Sequence, residues 1–348
     1  MAKEKITIKD VARAAGVSTQ TVSRVLNNRS DVSIETRERV QEIIDTLGYS
    51  PNVIARNLSR GRSSTIGVIG YGLDYYGTSS VISGIEGKIN DLGFSLTLSL
   101  IDRFDPSRVQ NIISDLLSRR VEGIIWAVPA IMEYIDWLAE KFSAIQTPVV
   151  YINKNHTDSD FVSSLDNRLG GKLAAEHLIE QGYRRIGIIT GPKGWWEANE
   201  RLAGWREAVS NAGYSDIDDL IVEGDWNPPS GNAGLQTLLD RDPEVDAVFI
   251  SNDQMALGTV QAARRLGLNI PQDLGIVGFD DIPEAAYFFP SLTTIRQEAR
   301  ELGAMAVDQM NAIIQANQKR ETIDPYISWL KPRLIVRHSA LRELSVIE

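Results

Sequence analysis

Cysteine is absent from all 348 residues, which excludes disulfide staples, thiolate nucleophiles and cysteine metal ligands. Histidine occurs three times, at His156, His177 and His338, scattered along the chain, so neither a structural zinc site nor histidine-centred acid–base chemistry is expected. No run of eighteen apolar residues occurs, so no membrane-spanning helix is expected. The opening MAKEKITIKD lacks the apolar core of a secretion signal, and the expectation is a cytoplasmic protein. No Walker loop or dinucleotide glycine motif is present, because LGGKLA has the wrong spacing. No cofactor is expected. The tail RLIVRHSALRELSVIE carries no leucine heptad, so a coiled-coil tetramerisation segment is not supported.

What remains is ordinary for a globular protein, with 43% hydrophobic and 24% charged residues. The length suits two or three domains. The net charge of −10 argues against nucleic acid until the chain is split. Residues 1–62 hold 11 Lys+Arg and 7 Asp+Glu, a balance of +4, and the remainder stands at −14. A basic head on an acidic body concentrates attraction for phosphate at one end.

Residues 6–29 organise that head. Ile8, Val11 and Ala12 recur at helical spacing, and Val22, Val25 and Leu26 form a second apolar stripe. Gly16 lies between them, where a helix stops and turns. Ser18 is suited to cap the second helix. Helix, short glycine turn, helix is the arrangement that lays its second helix in the DNA major groove. The polar face of that helix carries Thr19, Gln20, Thr21, Ser23 and Arg24. Gln pairs with adenine, Arg with guanine, and a threonine methyl meets the thymine methyl. The plainer alternative is a solvated hairpin. A third helix opens at Ser33, turns Val40, Ile43, Ile44 and Leu47 inward, and ends at Gly48.

ITIKDVARAAGVSTQTVSRVLNN (6–28), followed by VSIETRERVQEIIDTLGYSPNVIARNL (32–58), resembles the DNA-binding head of the lac repressor/galactose repressor family. The resemblance implies a homodimeric transcription factor, most simply a repressor, whose affinity for a pseudo-palindromic operator is set allosterically by a small molecule. It adds Thr7 and Asn27 to the DNA-facing set. It also gives a role to residues 51–58, PNVIARNL, which are too few for a stable helix in water. By resemblance two such hinge helices pair in the minor groove, with Leu58 as the wedge between base pairs and Asn52 and Ala55 beside it. The plainer alternative is a linker.

The expected domains are residues 1–50, the helix-turn-helix; 51–64, hinge and linker; and 65–348, the body. In the body, near-continuous apolar runs alternate with helical stretches. The runs include residues 66–70, 95–101, 123–128, 148–152, 185–190, 247–251 and 274–280. The helices include 81–93, 108–120, 168–182, 201–213 and 255–267. That alternation means parallel sheets covered on both faces, with enough units for two.

GPKGWWEANERLAGW, EGDW, NDQMALG, VGFDD and SLTTIRQ extend the resemblance to the family's effector domain, a two-lobed α/β body like a periplasmic sugar-binding protein. Its ligand lies between the lobes, outside the carboxyl ends of strands. Asn153, Asn252 and Asp280 each directly follow an apolar run, and Trp195 and Arg201 follow another after a loop. Asp280 can hold vicinal hydroxyls of a sugar, whereas Asp281 reads as a turn residue. Family position gives Asn252 to the ligand, and the plainer alternative is a cap for the next helix. Arg201, read as opening a helix, carries the wrong charge for that position and needs a partner. Trp195 and Trp226 suit the walls of a sugar pocket, and Trp196 a lid or interface. In the first lobe GLDYYGTSSVISGIE departs from the family's pattern and offers Tyr75 and Tyr76 as contacts. Trp126 is a further candidate, or core.

The partners expected are operator DNA, a sugar or sugar derivative and a second copy of the chain, dimerising through the first lobe. Three alternatives differ in class. A sugar-processing enzyme needs a carboxylate pair, which the adjacent Asp280 and Asp281 supply poorly. A periplasmic receptor has no use for a DNA-reading head. A regulator read by a phosphoprotein partner keeps the head but not the sugar.

Overall fold

The computed structural model describes residues 6–26, 29–49, 62–130, 134–154 and 159–342. Asn27, Asn52, Ala55 and Leu58 lie outside these. The chain divides into two compact units, Met1–Ser63 and Ser64–Glu348.

The head holds three helices, α1 Ile8–Ala15, α2 Thr19–Leu26 and α3 Ile34–Leu47. Local chemistry sets each boundary. The backbone N–H and hydroxyl of Thr7 donate to the Asp10 carboxylate at 2.9 and 2.6 Å, tying down the start of α1. Gly16 ends α1 at φ 63°, where a Cβ would be strained. Ser18 Oγ accepts the Thr21 N–H at 3.0 Å, and Ser33 Oγ that of Thr36 at 3.3 Å. Val11, Ala12 and Ala15 pack on Val22, Val25, Val40 and Ile44 in a core of their own. Each fully buried valine or isoleucine there contributes about 1.5–3 kcal/mol.

The body contains two six-stranded sheets. The first uses β1 Thr65–Tyr71, β2 Ser95–Ile101, β3 Gly123–Ala127, β4 Val149–Ile152, β5 Phe161–Leu165 and β11 Ile327–Leu330. Their order is β11-β5-β4-β3-β1-β2, parallel throughout. The second uses β6 Ile186–Thr190, β7 Ile221–Glu223, β8 Ala247–Ile250, β9 Gly275–Asp280, β10 Thr293–Arg296 and β12 Arg333–Ile335. Their order is β12-β10-β9-β8-β6-β7. Here the parallel expectation needs one correction, because the edge strand β12 runs antiparallel to β10. It follows β11 of the first sheet after two residues.

Helices α4 Tyr76–Asp91, α5 Pro106–Ser118 and α6 Ile135–Ser143 belong to the first lobe. Helices α7 Asn167–Glu180, α8 Trp196–Asn211, α9 Pro228–Arg241 and α10 Asp253–Arg265 belong to the second. The long α11, Ala299–Lys319, returns to pack on β3, β4 and β5. The chain thus crosses between lobes three times: from β5 to α7, from β10 to α11 and from β11 to β12.

Three helix pairs touch backbone to backbone through reciprocal glycines. A Cβ on Gly171 of α7 would stand 2.0 Å from the Arg201 carbonyl, and one on Gly204 of α8 would stand 1.9 Å from that of Arg168. Gly84 and Gly303 bring α4 to α11 in the same way, and Gly231 and Gly258 bring α9 to α10. No other residue type permits such an approach, so these glycines fix where α8, with its functional side chains, sits.

Candidate functional site

On the head, α2 buries Val22 and Val25 and leaves Thr19, Gln20 and Arg24 exposed, with Thr21 and Ser23 partly covered. Ser18 and Thr21 share a hydroxyl hydrogen bond of 2.9 Å, so part of this face is spent on capping the helix. Arg24 lies 3.6 Å from Asp31, both about half exposed, a pairing weak enough to be given up to a competing anion. Thr7 is exposed at the start of α1.

In the body, the carboxyl ends of β1, β3 and β4 face those of β6 through β10 across one cavity. Its lining includes Tyr75, Tyr76, Asn153, Trp195, Arg201, Trp226, Asn252 and Asp280, all eight residues singled out from the sequence. It also includes Glu197, Gln254 and Gln297, which sequence reasoning missed. Asn153, Trp226 and Asp280 all have positive φ, at 51°, 72° and 120°. Non-glycine residues hold such conformations at a cost of about 1–3 kcal/mol each, and only where surrounding contacts enforce them.

Arg201 does not open a helix, as its sequence context suggested. α8 begins at Trp196, and Arg201 lies well inside it, 6% exposed. Its Nε donates to Asn167 Oδ1 at 2.9 Å and its Nη1 to the Ser251 carbonyl. The guanidinium lies 3.6 Å from the Phe279 ring centroid and 5.5 Å from that of Trp226. Burial lowers its pKa, while Asp280, Glu197 and Asp253 pull it back up. Arg201 makes no direct ion pair among the described residues.

Asp280 receives Gln297 Nε2 on Oδ1 at 2.5 Å. Burial pushes its carboxyl up to about 7, against the opposing pull of Arg201 and Gln297. Glu197, one helical turn before Arg201, is likewise pushed up to about 7 by burial. Its Oε2 is buried without a hydrogen-bond partner. Asp253 is raised well above the carboxylate range by burial and by Asp280, and is held by Thr294 Oγ1 at 2.6 Å and the Ile282 N–H at 2.9 Å.

Asn252 is a structural side chain as well as a lining one. Its Oδ1 caps α10 by accepting the Met255 N–H at 2.8 Å, and its Nδ2 donates to the Trp226 carbonyl at 3.0 Å. Asn153, which lines the cavity, accepts the Leu165 N–H on its Oδ1 at 2.9 Å. Asp281 is committed to Arg296 at 2.5 Å and Arg337 at 2.6 Å. Trp126 is core, edge-on to Phe142, and does not line the cavity.

An aromatic wall spans the lobes. Trp195 meets Trp226 at 5.6 Å on its own side and Tyr71 and Tyr75 at 5.5 and 6.0 Å on the other. The Trp196 N–H donates to the Ala130 carbonyl at 3.1 Å, a second tie between lobes, and the Trp196 side chain is half-buried. A small molecule enclosed here would touch both lobes. Gln297 was the most findable of the missed residues, since it ends the quoted SLTTIRQ at a strand's carboxyl end. Glu197 carried an i,i+4 relation to Arg201, visible only with the helix start correctly set.

Residues 7–52 match the family described as bacterial regulatory proteins, lacI family. Residues 175–340 match the periplasmic binding protein-like domain. The chain is 35% identical to the HTH-type transcriptional repressor PurR of Edwardsiella ictaluri, covering 96% of each. The chain belongs to the lacI family. It is 33% identical to the lactose operon repressor of Escherichia coli, over 89% of this chain and 85% of that one. Among solved structures, the lac repressor dimer bound to operator and the anti-inducer ONPF superposes with a TM-score of 0.84 at 31% identity, covering 97% of this chain and all of that one. The complex of the transcriptional regulator CelR with cellobiose gives 0.72 at 30% identity, covering 96% and 99%. Among the described residues, no helix is long and apolar enough to cross a membrane.

Proposed function

We propose that this lacI-family chain is a transcriptional repressor working in the cytoplasm. It binds a pseudo-palindromic operator as a homodimer, and a small sugar-like effector between the lobes sets its affinity for that operator. The observation that carries this reading is the inter-lobe cavity with Arg201, Asp280 and an indole wall, on the same chain as a helix-turn-helix with an exposed polar face. Charged groups that bond hydroxyls beside rings that stack on a sugar's CH face are the means by which proteins hold carbohydrates. In this reading Asp280, Arg201 and Asn153 bond the effector, Tyr75, Tyr76, Trp195 and Trp226 enclose it, and Asn252 shapes the wall. Gln20 and Arg24 read bases, with Thr7, Ser18, Thr19, Thr21, Ser23 and Asn27 on phosphates and base edges. Residues 51–64 act as the hinge, with Asn52 and Ala55 in the minor groove and Leu58 as its wedge.

The effector switches the protein by touching both lobes, so its affinity differs between their open and closed arrangements. Only that difference can shift operator affinity. We assign the chain no catalytic step, since the relatives it matches over most of its length are transcriptional repressors. The second copy finds an apolar surface in Leu257, Tyr287 and Phe289, which are 52%, 88% and 81% exposed along one groove. The test is selection of duplexes from a random pool, followed by anisotropy titration of the selected site with and without a sugar library. A preferred palindrome whose affinity changes with one sugar supports the reading. Equal affinity for all duplexes, or a preferred site that no sugar affects, overturns it.

A further inference from the structure

We propose that Glu197 makes the inter-lobe cavity selective for uncharged polyhydroxy ligands and turns away their carboxylated and phosphorylated derivatives. This rests on the reading of the cavity as the effector site. Glu197 is only 9% exposed, yet its Oε2 has no hydrogen-bond partner. The other buried carboxyls are satisfied, Asp280 by Gln297 and Asp253 by Thr294 and the Ile282 N–H. A buried carboxyl oxygen left unbonded costs free energy, and a ligand hydroxyl would recover it. Two more lining atoms are also unpartnered, Gln254 Oε1 and Trp226 Nε1. A group that both donates and accepts, as a hydroxyl does, suits all three.

The charges decide against an anion. Two carboxyls, Glu197 and Asp280, line the cavity with one guanidinium, Arg201, and no lysine or histidine joins them among the described residues. Arg201 has already given Nε to Asn167 and Nη1 to the Ser251 carbonyl. An entering phosphate or carboxylate would therefore meet part of one cation against two buried carboxyls. Like charges brought together out of water are strongly disfavoured, whereas a neutral polyol brings no charge to bury.

The test is calorimetry on the full-length protein at pH 8, where both carboxyls are ionised. Matched probes are cellobiose with cellobionic acid, lactose with lactobionic acid, and methyl β-glucoside with methyl β-glucuronide. The expected result is that the neutral member of at least one pair binds roughly 100-fold more tightly than its acid. Glu197→Gln, which keeps the shape and removes the charge, should narrow that ratio about tenfold, and Glu197→Asp should keep it. An acid that binds as well as its neutral partner overturns the selectivity while leaving the sugar site standing. A ratio unchanged in Glu197→Gln overturns the role of Glu197. Failure of every probe to bind overturns both the inference and the sugar reading beneath it.

Discussion

Replacing Glu197 by glutamine should stabilise the ligand-free protein at pH 8 relative to pH 5. Burial raises this carboxyl from 4.5 to about 7. Between those values the folded protein keeps the proton that the unfolded chain releases. Folding stability therefore falls as pH rises through this window and levels off above it. At 1.36 kcal/mol per unit, the ionised carboxylate costs about 3 kcal/mol at pH 8 and under about 1 kcal/mol at pH 5. Glutamine does not titrate, so whatever its amide costs is the same at both values. The difference between variant and parent should shift in the variant's favour by about 2–3 kcal/mol on going from pH 5 to pH 8. For a body of this size that is roughly 5 °C in melting temperature. Thermal melts of both proteins at the two pH values read it directly. An offset that is equal at pH 5 and pH 8 would refute the reasoning, because a carboxyl with an ordinary pKa, exposed to water or paired, produces no such window.

Other outcomes follow from the same contacts. Gly204→Ala drives a methyl into the Arg168 carbonyl, which cannot yield as a side chain would, and should cost about 3 kcal/mol in a melt. An unchanged melting temperature would mean that the helices are free to separate. Gln20→Ala and Arg24→Ala should each weaken binding to the selected operator by about 1–3 kcal/mol, and binding to random duplex by much less, as read by anisotropy. Equal loss on both duplexes would remove their base-reading role. Asp280→Ala should keep operator affinity and weaken effector binding roughly 100-fold by calorimetry, and a normal response to effector would rule out the cavity. Asp281→Ala leaves Arg337 and Arg296 without their shared carboxylate, and should lower stability by about 3 kcal/mol with a smaller effect on effector affinity than Asp280→Ala.

The helix ends of the head were legible because each depends on residues three or four apart. Ser18 with Thr21, Ser33 with Thr36, and the left-handed Gly16 and Gly48 are all decided within a single turn, as is the pairing of Thr7 with Asp10, which went unread. The apolar runs that became β1, β3, β4, β6, β8 and β9 were legible for a related reason, since strands covered on both faces have no polar side to show, whereas β2 is an edge strand with exposed positions. Strands β5 and β10 were harder, because Ser163, Ser164, Thr293 and Thr294 are buried polar residues that break the apolar pattern. Their hydroxyls are satisfied by groups such as Gln309, Asn153 and Asp253, which lie far away in sequence.

The sequence by itself determined the two kinds of domain, the reading helix and the residues at strand ends, since periodicity, caps and strand termini are short-range properties. Only the tertiary structure decided what those residues do to one another. Arg201 is held by Asn167, 34 positions away, Asp280 is bonded by Gln297, 17 positions away, and Glu197 keeps one oxygen unbonded. Burial and charge proximity arise from the packing of two sheets, and no local pattern encodes how far a carboxyl ends up from water or from its nearest guanidinium.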